Sequence, residues 1–483
     1  MAVSDDRRRR AGLTNTATHT TDAHAEHTRG IRIATTPKEP MTLPLTALLC
    51  EFVAETSALP ASAQAMSRLC LLDWLGATVA GSAEPIAGPL LRTLEQIDAA
   101  GPCTVIGSPI RCSAPHAAML NGTFSHVLEL DDVHLQAAIH GSAPVWAAAL
   151  AVAQWVGASA DQTTLAFALG YEAMARIGVP CGQRMIAENH HPTGVLGYFG
   201  AAAAAGRLLK LDARQQAMAF GIAAGQAGAS TQVRGTMSKP FFAGHSAHGG
   251  VLSALLASNG FVSAPDSIEG PQGTLATFCL GADLDPVVDG LGTRWELDRN
   301  AFKVHASCAM SHAIVDGILD LRARERLRAD EVAAMRLFLY PHATQYLDRP
   351  RVNAGLEGKF SAQYCAAAAL LDGVAQEGQF TDARAADAAL RHAMDKVVLV
   401  PDAQYAMDQA RVEITLRNGV THSAEVLAVS GSPERPIGLD ALETKFRQLA
   451  ARALPRTQVE RLLQSVRDWP SATVADLLRQ TAR

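Results

Sequence analysis

The chain has 483 residues, of which 48% are hydrophobic and 18% charged, and its formal net charge at pH 7 is −5. This length exceeds one ordinary hydrophobic core and predicts two domains. So mild a charge gives no reason to expect nucleic acid or an anionic membrane as a partner, and no apolar run is long enough to span a bilayer. The eight cysteines form no C-x-x-C pair, which predicts free thiols in a reducing, cytoplasmic compartment.

Residues 1–41 differ in composition from the rest of the chain. They contain the run Arg7–Arg10, many threonines and alanines, and almost no large apolar side chains. Such a segment cannot bury enough apolar surface to order itself, so we predict a disordered tail. A mitochondrial transit peptide is disfavoured by the acidic residues, which such peptides avoid. A translation start at Met41 is the remaining alternative.

Residues 42–297 predict a large helical domain. Apolar residues recur at helical spacing over 66–79, and Gly81 can end that helix. The segments Ser159-Ala-Asp-Gln162 and Asp212-Ala-Arg-Gln215 have the form of capping boxes at helix starts. Strand signals are scarce in this part of the chain.

Residues 298–432 predict an α+β domain. The alternating run Met335–Tyr340 is followed by a proline, and Val397–Val400 is a short β-branched run, so both are predicted strands. The stretch Arg411–Val426 predicts a hairpin with a type I′ turn at Asn418-Gly419.

Helices are predicted between these strands and after them. One runs from a cap at Ser361 to Leu371, and another from Asp382 to Met394. The segment Asp440-Ala-Leu-Glu443 resembles a capping box, and we expect residues 433–483 to pack back on the helical domain. The predicted fold class is therefore mainly α with a second α+β domain.

The densest group of chemically active side chains is Glu129-Leu-Asp-Asp-Val-His134, followed by His140. It places three carboxylates and two imidazoles within twelve residues, between apolar segments where charge is rare unless it is paired or used. Asp131 beside a histidine suits acid–base chemistry, because a carboxylate fixes the imidazole tautomer and raises its basicity. A metal site is compatible with the same residue types. So is a helix end with capping aspartates and an exposed histidine.

Three further segments carry candidate functional groups. His191 precedes a glycine- and alanine-rich helix, whose N-terminus would favour an anion, although an exposed loop fits as well. Lys239 is a candidate partner for a substrate carboxylate, or an ordinary solvated lysine. Lys303, Cys308 and His312 fall at the predicted domain junction, where sites are common. Cys308 is a candidate nucleophile, but its apolar setting favours a packed thiol.

Common catalytic motifs are absent from the sequence. There is no phosphate-binding loop, dinucleotide fingerprint, serine-hydrolase elbow or H-E-x-x-H motif. Their absence excludes the common nucleotide-binding, serine hydrolase and zinc protease classes.

The segments that carry the candidate functional groups, taken in chain order, resemble the MmgE/PrpD family. This family includes 2-methylcitrate dehydratase, cis-aconitate decarboxylase and iminodisuccinate epimerase. The resemblance spans about residues 45–450. The matching pieces are Leu71-Leu-Asp-Trp-Leu-Gly76, Asn121 to Asp132, His140-Gly-Ser142, His191-Pro-Thr-Gly194, Met237-Ser-Lys239-Pro240, Lys303 with Cys308 and His312, Gln345 to Pro350, Lys359-Phe-Ser361 and Lys445-Phe446.

The resemblance implies a large helical domain with a smaller α+β lid, a homodimer, and a site between the domains that holds no metal or other cofactor. It implies a lyase acting on a small di- or tricarboxylic acid, by dehydration or decarboxylation. An isomerase or epimerase of an amino- or imino-dicarboxylate is the alternative. A non-catalytic dicarboxylate-binding protein is a third hypothesis, which the number of acid–base groups disfavours.

The resemblance also assigns residues to this site. We expect His140 to move a proton, Lys239 to bind a carboxylate, His191 to act as a second acid–base or binding group, and Tyr346 to donate a hydrogen bond from the lid. The implied catalytic residues are Asp131, His140, His191, Lys239 and Tyr346, and the implied substrate-binding residues are Lys303, Cys308 and His312.

Overall fold

The first part of the chain folds into helices that pack around one another. The computed structural model describes residues 44–469 and 471–482, so the predicted tail at 1–41 lies outside the described residues. The helices of this part are α1 Leu45–Glu55, α2 Ala61–Gly81, α3 Ala87–Gln96, α4 Ala114–His126, α5 Ser142–Val156, α6 Ala160–Gly178, α7 Gly182–Ala187, α8 Pro192–Leu208, α9 Ala213–Ala224, α10 Ser238–Ser258 and α11 Thr274–Phe278.

Helices α8 and α10 form the centre of this part. They pack on each other, α8 also packs on α5 and α6, and α10 also packs on α4. Small residues allow these close approaches. A side chain at Gly244 of α10 would collide with the backbone of Met119 and with the hydroxyl of Thr123, both on α4. The alanine- and glycine-rich composition of these helices is therefore explained by close helix–helix packing.

Local signals in the sequence predict these helices well. Ser159 caps α6 and Asp212 caps α9, both as capping boxes, and α2 ends at Gly81 as predicted. A short hairpin of β1 Ala100–Thr104 and β2 Arg111–Cys112 was not predicted from the sequence. A glycine and a proline inside β1 remove the strand pattern.

The next part combines a four-stranded sheet with helices. Its strands lie in the order β4-β3-β5-β6, with β4 parallel to β3 and the other pairs antiparallel. The strands are β3 Val332–Leu339, β4 Val397–Pro401, β5 Ala410–Leu416 and β6 Thr421–Val426. The helices here and after the sheet are α12 His312–Arg324, α13 Pro341–Leu347, α14 Gly355–Gly358, α15 Ala362–Asp372, α16 Asp382–Ala385, α17 Ala388–Met394, α18 Leu439–Ala450, α19 Arg456–Arg467 and α20 Val474–Arg479.

The hairpin of β5 and β6 is present, but the predicted type I′ turn is wrong. A type I′ turn needs positive φ at both central residues. Here Gly419 has φ 85°, whereas Asn418 is not in the left-handed region. The N–H of Gly419 donates to the carbonyl of Leu416, and the N–H of Leu416 donates to the carbonyl of Val420. The turn therefore begins one residue earlier, and Gly419 forms a bulge after it.

Two helix predictions near the C-terminus were also wrong in detail. The helix predicted over Asp382–Met394 is two helices, α16 and α17, because Thr381 and Asp387 cap separate starts. The predicted capping box at Asp440 is absent, since Gly438 occupies the N-cap of α18 and Asp440 lies in its first turn. The cap at Ser361, by contrast, is confirmed for α15.

The C-terminal helices return to the first part of the chain. α18 packs against α2, where Phe446 fills the space left by Gly76. The described residues, which begin at Pro44, form one compact unit. The predicted fold class, mainly α with a smaller α+β part, is confirmed. The domain boundaries at 41, 297 and 432 stay a prediction. Within the described residues, no helix combines the length and the apolar composition needed to cross a bilayer.

Candidate active site

A cavity with an empty volume of about 630 Å³ lies between the helical part and the α+β part. His140, His191 and Lys239 reach it from the helical part, and Cys308 and Tyr346 reach it from the α+β part. Five of the eight predicted site residues therefore line one cavity, although they are more than 200 residues apart in the sequence at the extremes.

Asp131 lies behind His140 and contacts two histidines. Its Oδ2 atom is 2.7 Å from Nδ1 of His126 and 3.1 Å from Nδ1 of His140. Burial opposes ionisation of Asp131, but the two imidazoles outweigh burial and hold its pKa well below the usual range. Asp131 does not line the cavity. Its position suits it to orient the His140 ring and to stabilise that ring when protonated.

The two imidazoles that line the cavity are neutral near pH 7. Burial lowers the pKa of His140 to about 4, although the Asp131 carboxylate opposes this shift. Burial and the Lys239 charge lower the pKa of His191 well below its usual range. His191 is the N-cap of α8, and its Nδ1 accepts the N–H of Gly194 at 3.2 Å. A neutral ring that accepts at Nδ1 carries its proton on Nε2, so His191 is a hydrogen-bond donor there.

Glu129 pairs with both lysines that the family resemblance assigns to the site. One of its oxygens bonds to Nζ of Lys239, and the other lies 3.2 Å from Nζ of Lys303. Burial raises the pKa of Glu129, but the lysine charges outweigh burial and keep that pKa well below its usual range. Lys239 lines the cavity, whereas Lys303 lies behind it. The three groups together carry one net positive charge.

Lysines from distant parts of the chain hold the segment 127–132 that carries these acids. Lys359 donates to the carbonyl of Leu128 at 2.6 Å, and Lys445 of α18 donates to the carbonyl of Leu130 at 2.5 Å. Glu129 itself has φ 55°, a left-handed conformation that few non-glycine residues adopt. The lysine contacts on both sides of Glu129 stabilise this conformation, and they fix where its carboxylate points.

Cys308 and Tyr346 keep their protons at neutral pH. Burial raises the pKa of the Cys308 thiol, which does not favour the thiolate form that a nucleophile needs. Burial also raises the pKa of Tyr346, so its hydroxyl remains a hydrogen-bond donor. The guanidinium of Arg234 covers the Tyr346 ring at 3.7 Å from the ring centroid.

The structure does not bring His312 to the cavity. Its Nε2 lies 3.3 Å from the carbonyl oxygen of Ser307, and its ring packs on that of His305 with the centroids 5.0 Å apart. His305 in turn is 2.9 Å from Asp316. His312 therefore belongs to a separate buried cluster at the start of α12.

Comparison with known proteins matches both parts of the chain. Residues 47–287 match the MmgE/PrpD N-terminal domain, and residues 305–471 match the MmgE/PrpD C-terminal domain. The chain belongs to the MmgE/PrpD family. The resemblance noted in the sequence is thereby confirmed.

Curated relatives of this MmgE/PrpD protein share about a quarter of its residues. A cis-aconitate decarboxylase-like protein of Aspergillus oryzae is 27% identical over 468 residues, which cover 90% of this chain and 96% of the relative. The cis-aconitate decarboxylase of Homo sapiens is 28% identical over 419 residues, which cover 83% of this chain and 86% of the relative. The cis-aconitate decarboxylase of Aspergillus terreus is 27% identical over 362 residues, which cover 70% of this chain and 74% of the relative.

Two side chains of this MmgE/PrpD site were not predicted from the sequence. His126, the last residue of α4, was not singled out, although its spacing of five residues from Asp131 brings the two together. Glu129 was recognised as part of the acidic cluster but not as the partner of the site lysines. A buried acid flanked by apolar residues was the available signal, and its lysine partners could not be identified without the fold.

His126, Asp131 and His140 are the group of described residues whose ligand atoms come close enough for a metal ion, all lying within 4.8 Å of one another. The distance of 2.7 Å between His126 and Asp131 is that of a hydrogen bond. The ammonium groups of Lys239 and Lys303 nearby repel a cation. The donor set therefore fits a shared proton better than a metal.

Proposed function

We propose that this protein is a lyase that removes CO₂ or water from a small di- or tricarboxylic acid. The convergence of Lys239, His140 and His191 on one cavity, with Asp131 behind His140, carries the proposal. Such a set can hold a carboxylate and move a proton next to it. The relatives named as cis-aconitate decarboxylases support a decarboxylase or dehydratase kind of activity.

Each group has its own task in this proposal. Lys239 binds a carboxylate, and its charge stabilises the carbanion-like transition state that develops beside it. In decarboxylation the C–C bond breaks, CO₂ leaves, and the electron pair left on carbon takes a proton from the His140 imidazolium. In dehydration neutral His140 takes the proton on carbon, and the hydroxyl leaves as water with a proton from His191 or Tyr346.

Charge balance links substrate binding to protonation in this site. Glu129 and its two lysines contribute one net positive charge, and Asp131 contributes one negative charge. The imidazoles of His140 and His191 are neutral near pH 7 because their pKa values are lowered. A bound polycarboxylate raises these pKa values, and the imidazolium needed for decarboxylation then forms on binding.

Proton NMR of the purified protein in D₂O tests the reaction class. Cis-aconitate, 2-methylcitrate and iminodisuccinate are added one at a time. Loss of a carboxylate carbon or a new C=C signal supports the lyase and identifies its leaving group. Deuterium entering an α-position with the carbon skeleton intact supports the epimerase alternative instead. No change in any of the three acids contradicts the proposal for these substrates.

The proposed lyase works without a metal or other cofactor and acts as a homodimer, as the family resemblance implies. Its eight cysteines, which form no C-x-x-C pair, favour the cytoplasm as its compartment. Light scattering tests the oligomeric state directly. A homodimer has twice the chain mass of 50.9 kDa, and a monomer contradicts this part of the proposal.

A further inference from the structure

Two neighbouring arginine side chains lie beside the cavity. Arg234 follows a 3₁₀ turn at Thr231–Val233, and Arg349 follows α13. They are neighbours, because Nη1 of Arg349 lies 3.4 Å from the carbonyl oxygen of Arg234. Among the described residues, neither guanidinium forms an ion pair with a carboxylate.

Arg234 is connected to the active site through Tyr346. Its guanidinium carbon lies 3.7 Å from the centroid of the Tyr346 ring, and Tyr346 and Thr231 both line the cavity. The Nε atom of Arg234 is buried and has no hydrogen-bond partner in the described residues. A buried N–H that lacks an acceptor costs free energy, which an oxygen ligand would recover.

Positive charge accumulates around these side chains. The pKa of Arg349 is lowered first by burial and then by the Arg234 charge, and the pKa of His342 is lowered by the same two causes. Glu357 acts weakly on Arg349, but one of its carboxylate oxygens accepts the N–H of Asn353 instead. Half-buried like charges repel each other unless an anion lies between them.

We propose that Arg234 and Arg349 form an oxyanion-binding subsite next to the cavity. The guanidinium fork matches the paired oxygens of a carboxylate or phosphate group. Two sources fit this chemistry. One is a distal carboxylate of the substrate, which extends past Tyr346, and this source rests on the proposed lyase function. The other is a separate phosphate-type anion, which binds independently of turnover.

Anion binding to the purified full chain tests the subsite. Thermal unfolding is measured with inorganic phosphate, succinate and the tricarboxylate tricarballylate, at constant ionic strength with chloride as reference. The variants are Arg234→Gln and Arg349→Gln. The matched control is Arg351→Gln, because Arg351 is exposed and pairs with Asp395 at 2.6 Å. We expect the two subsite variants to bind phosphate or tricarballylate at least tenfold more weakly, with the control unchanged.

The three anions distinguish the two sources. A larger loss for tricarballylate than for succinate, without phosphate binding, assigns the subsite to a substrate carboxylate. A loss of phosphate binding with tricarballylate affinity unchanged assigns it to a separate anion. Equal affinities of wild type and all variants for all three anions would overturn the subsite. If a glutamine variant is too unstable to measure, Arg234→Lys keeps the charge, removes the fork and is expected to show the same loss. Because turnover is not measured, failure of the subsite is distinguishable from failure of the lyase proposal.

Discussion

Two buried carboxylates, separated by a single residue, decide the charge of the site. Glu129 pairs with the ammonium groups of Lys239 and Lys303, whereas Asp131 contacts the imidazoles of His126 and His140. The Glu129 carboxylate cancels one of the two lysine charges. The Asp131 carboxylate stabilises the positive charge that an imidazole gains only when it is protonated. The site is therefore less positive than its count of basic residues indicates.

Proton uptake on ligand binding is the first expected consequence. The pKa of His140 is about 4 and that of His191 is also lowered, so both rings are neutral at pH 7, and a bound polyanion raises both values. The complex then holds more protons than the free protein, so affinity for tricarballylate rises as the pH falls from 8 to 6. Calorimetry in buffers of different ionisation heat measures the uptake. His140→Gln is expected to reduce it and His190→Gln to leave it unchanged, since His190 does not line the cavity. Zero uptake by wild type contradicts the charge assignment.

Loss of turnover is the expected effect of removing the proposed catalytic groups. Lys239→Met and His140→Gln should each lower kcat/KM by about 10²–10⁴-fold on the acid that NMR identifies, the range typical for such groups. The matched controls are Lys210→Met, at an exposed position, and His190→Gln. Steady-state kinetics checks this result, and wild-type activity in the Lys239 and His140 variants would remove both from the mechanism.

At the scale of elements, the contact between α4 and α10 positions the site. α4 ends at His126, and α10 carries Lys239 in its first turn, so a shift of one helix along the other separates the acids from their partners. Gly244 allows this contact, because a Cβ there would overlap the backbone and side chains of α4. Two helices that approach this closely have one well-defined register.

Gly244→Ala is therefore expected to lower the free energy of unfolding by about 1–3 kcal/mol or more, because overpacking forces the helices apart. Gly88→Ala is the matched control in α3, where the nearest atom is the flexible end of Arg92. That change should leave stability unchanged or raise it by up to about 1 kcal/mol through helix propensity. Urea unfolding of the two variants measures the difference, and equal free energies of unfolding would show that the α4–α10 contact can relax.

At the scale of the whole molecule, the C-terminal helix α18 supports the active-site segment. Nζ of Lys445 lies 2.5 Å from Oδ1 of Asp73 on α2, and it also donates to the carbonyl of Leu130 at 2.5 Å. Burial raises the pKa of Asp73 and the Lys445 charge opposes that shift. The last part of the chain thus stabilises a loop more than 300 residues earlier.

Lys445→Met is expected to lower the free energy of unfolding by about 3–5 kcal/mol, because it leaves the buried Asp73 without its cation. The double variant Asp73→Asn with Lys445→Met should recover part of this loss. Arg328→Met is the control at an exposed ion pair, where little or no change in the free energy of unfolding is expected. Urea unfolding of wild type, Asp73→Asn, Lys445→Met and the double variant gives the coupling energy, and strictly additive losses would show that the two side chains do not interact.

The sequence by itself determined the local structure and the family. Helix starts at Ser159 and Asp212 were predictable, because capping depends on residues three positions apart, and the motifs around His140, His191 and Lys239 carry the family resemblance. The local pattern Asn418-Gly419 predicted the wrong turn type, because a hairpin turn can begin at either of two neighbouring residues with the same sequence.

Only the tertiary structure decided how the site residues pair. Glu129 meets Lys239 and Lys303, which are 110 and 174 residues further along the chain. The tertiary structure also places Arg234 over the Tyr346 ring, and it places His312 outside the cavity. Composition and spacing record which charges a chain contains, but helix packing sets the distances between them. Those distances, together with burial, determine which groups neutralise each other and which remain free for a substrate.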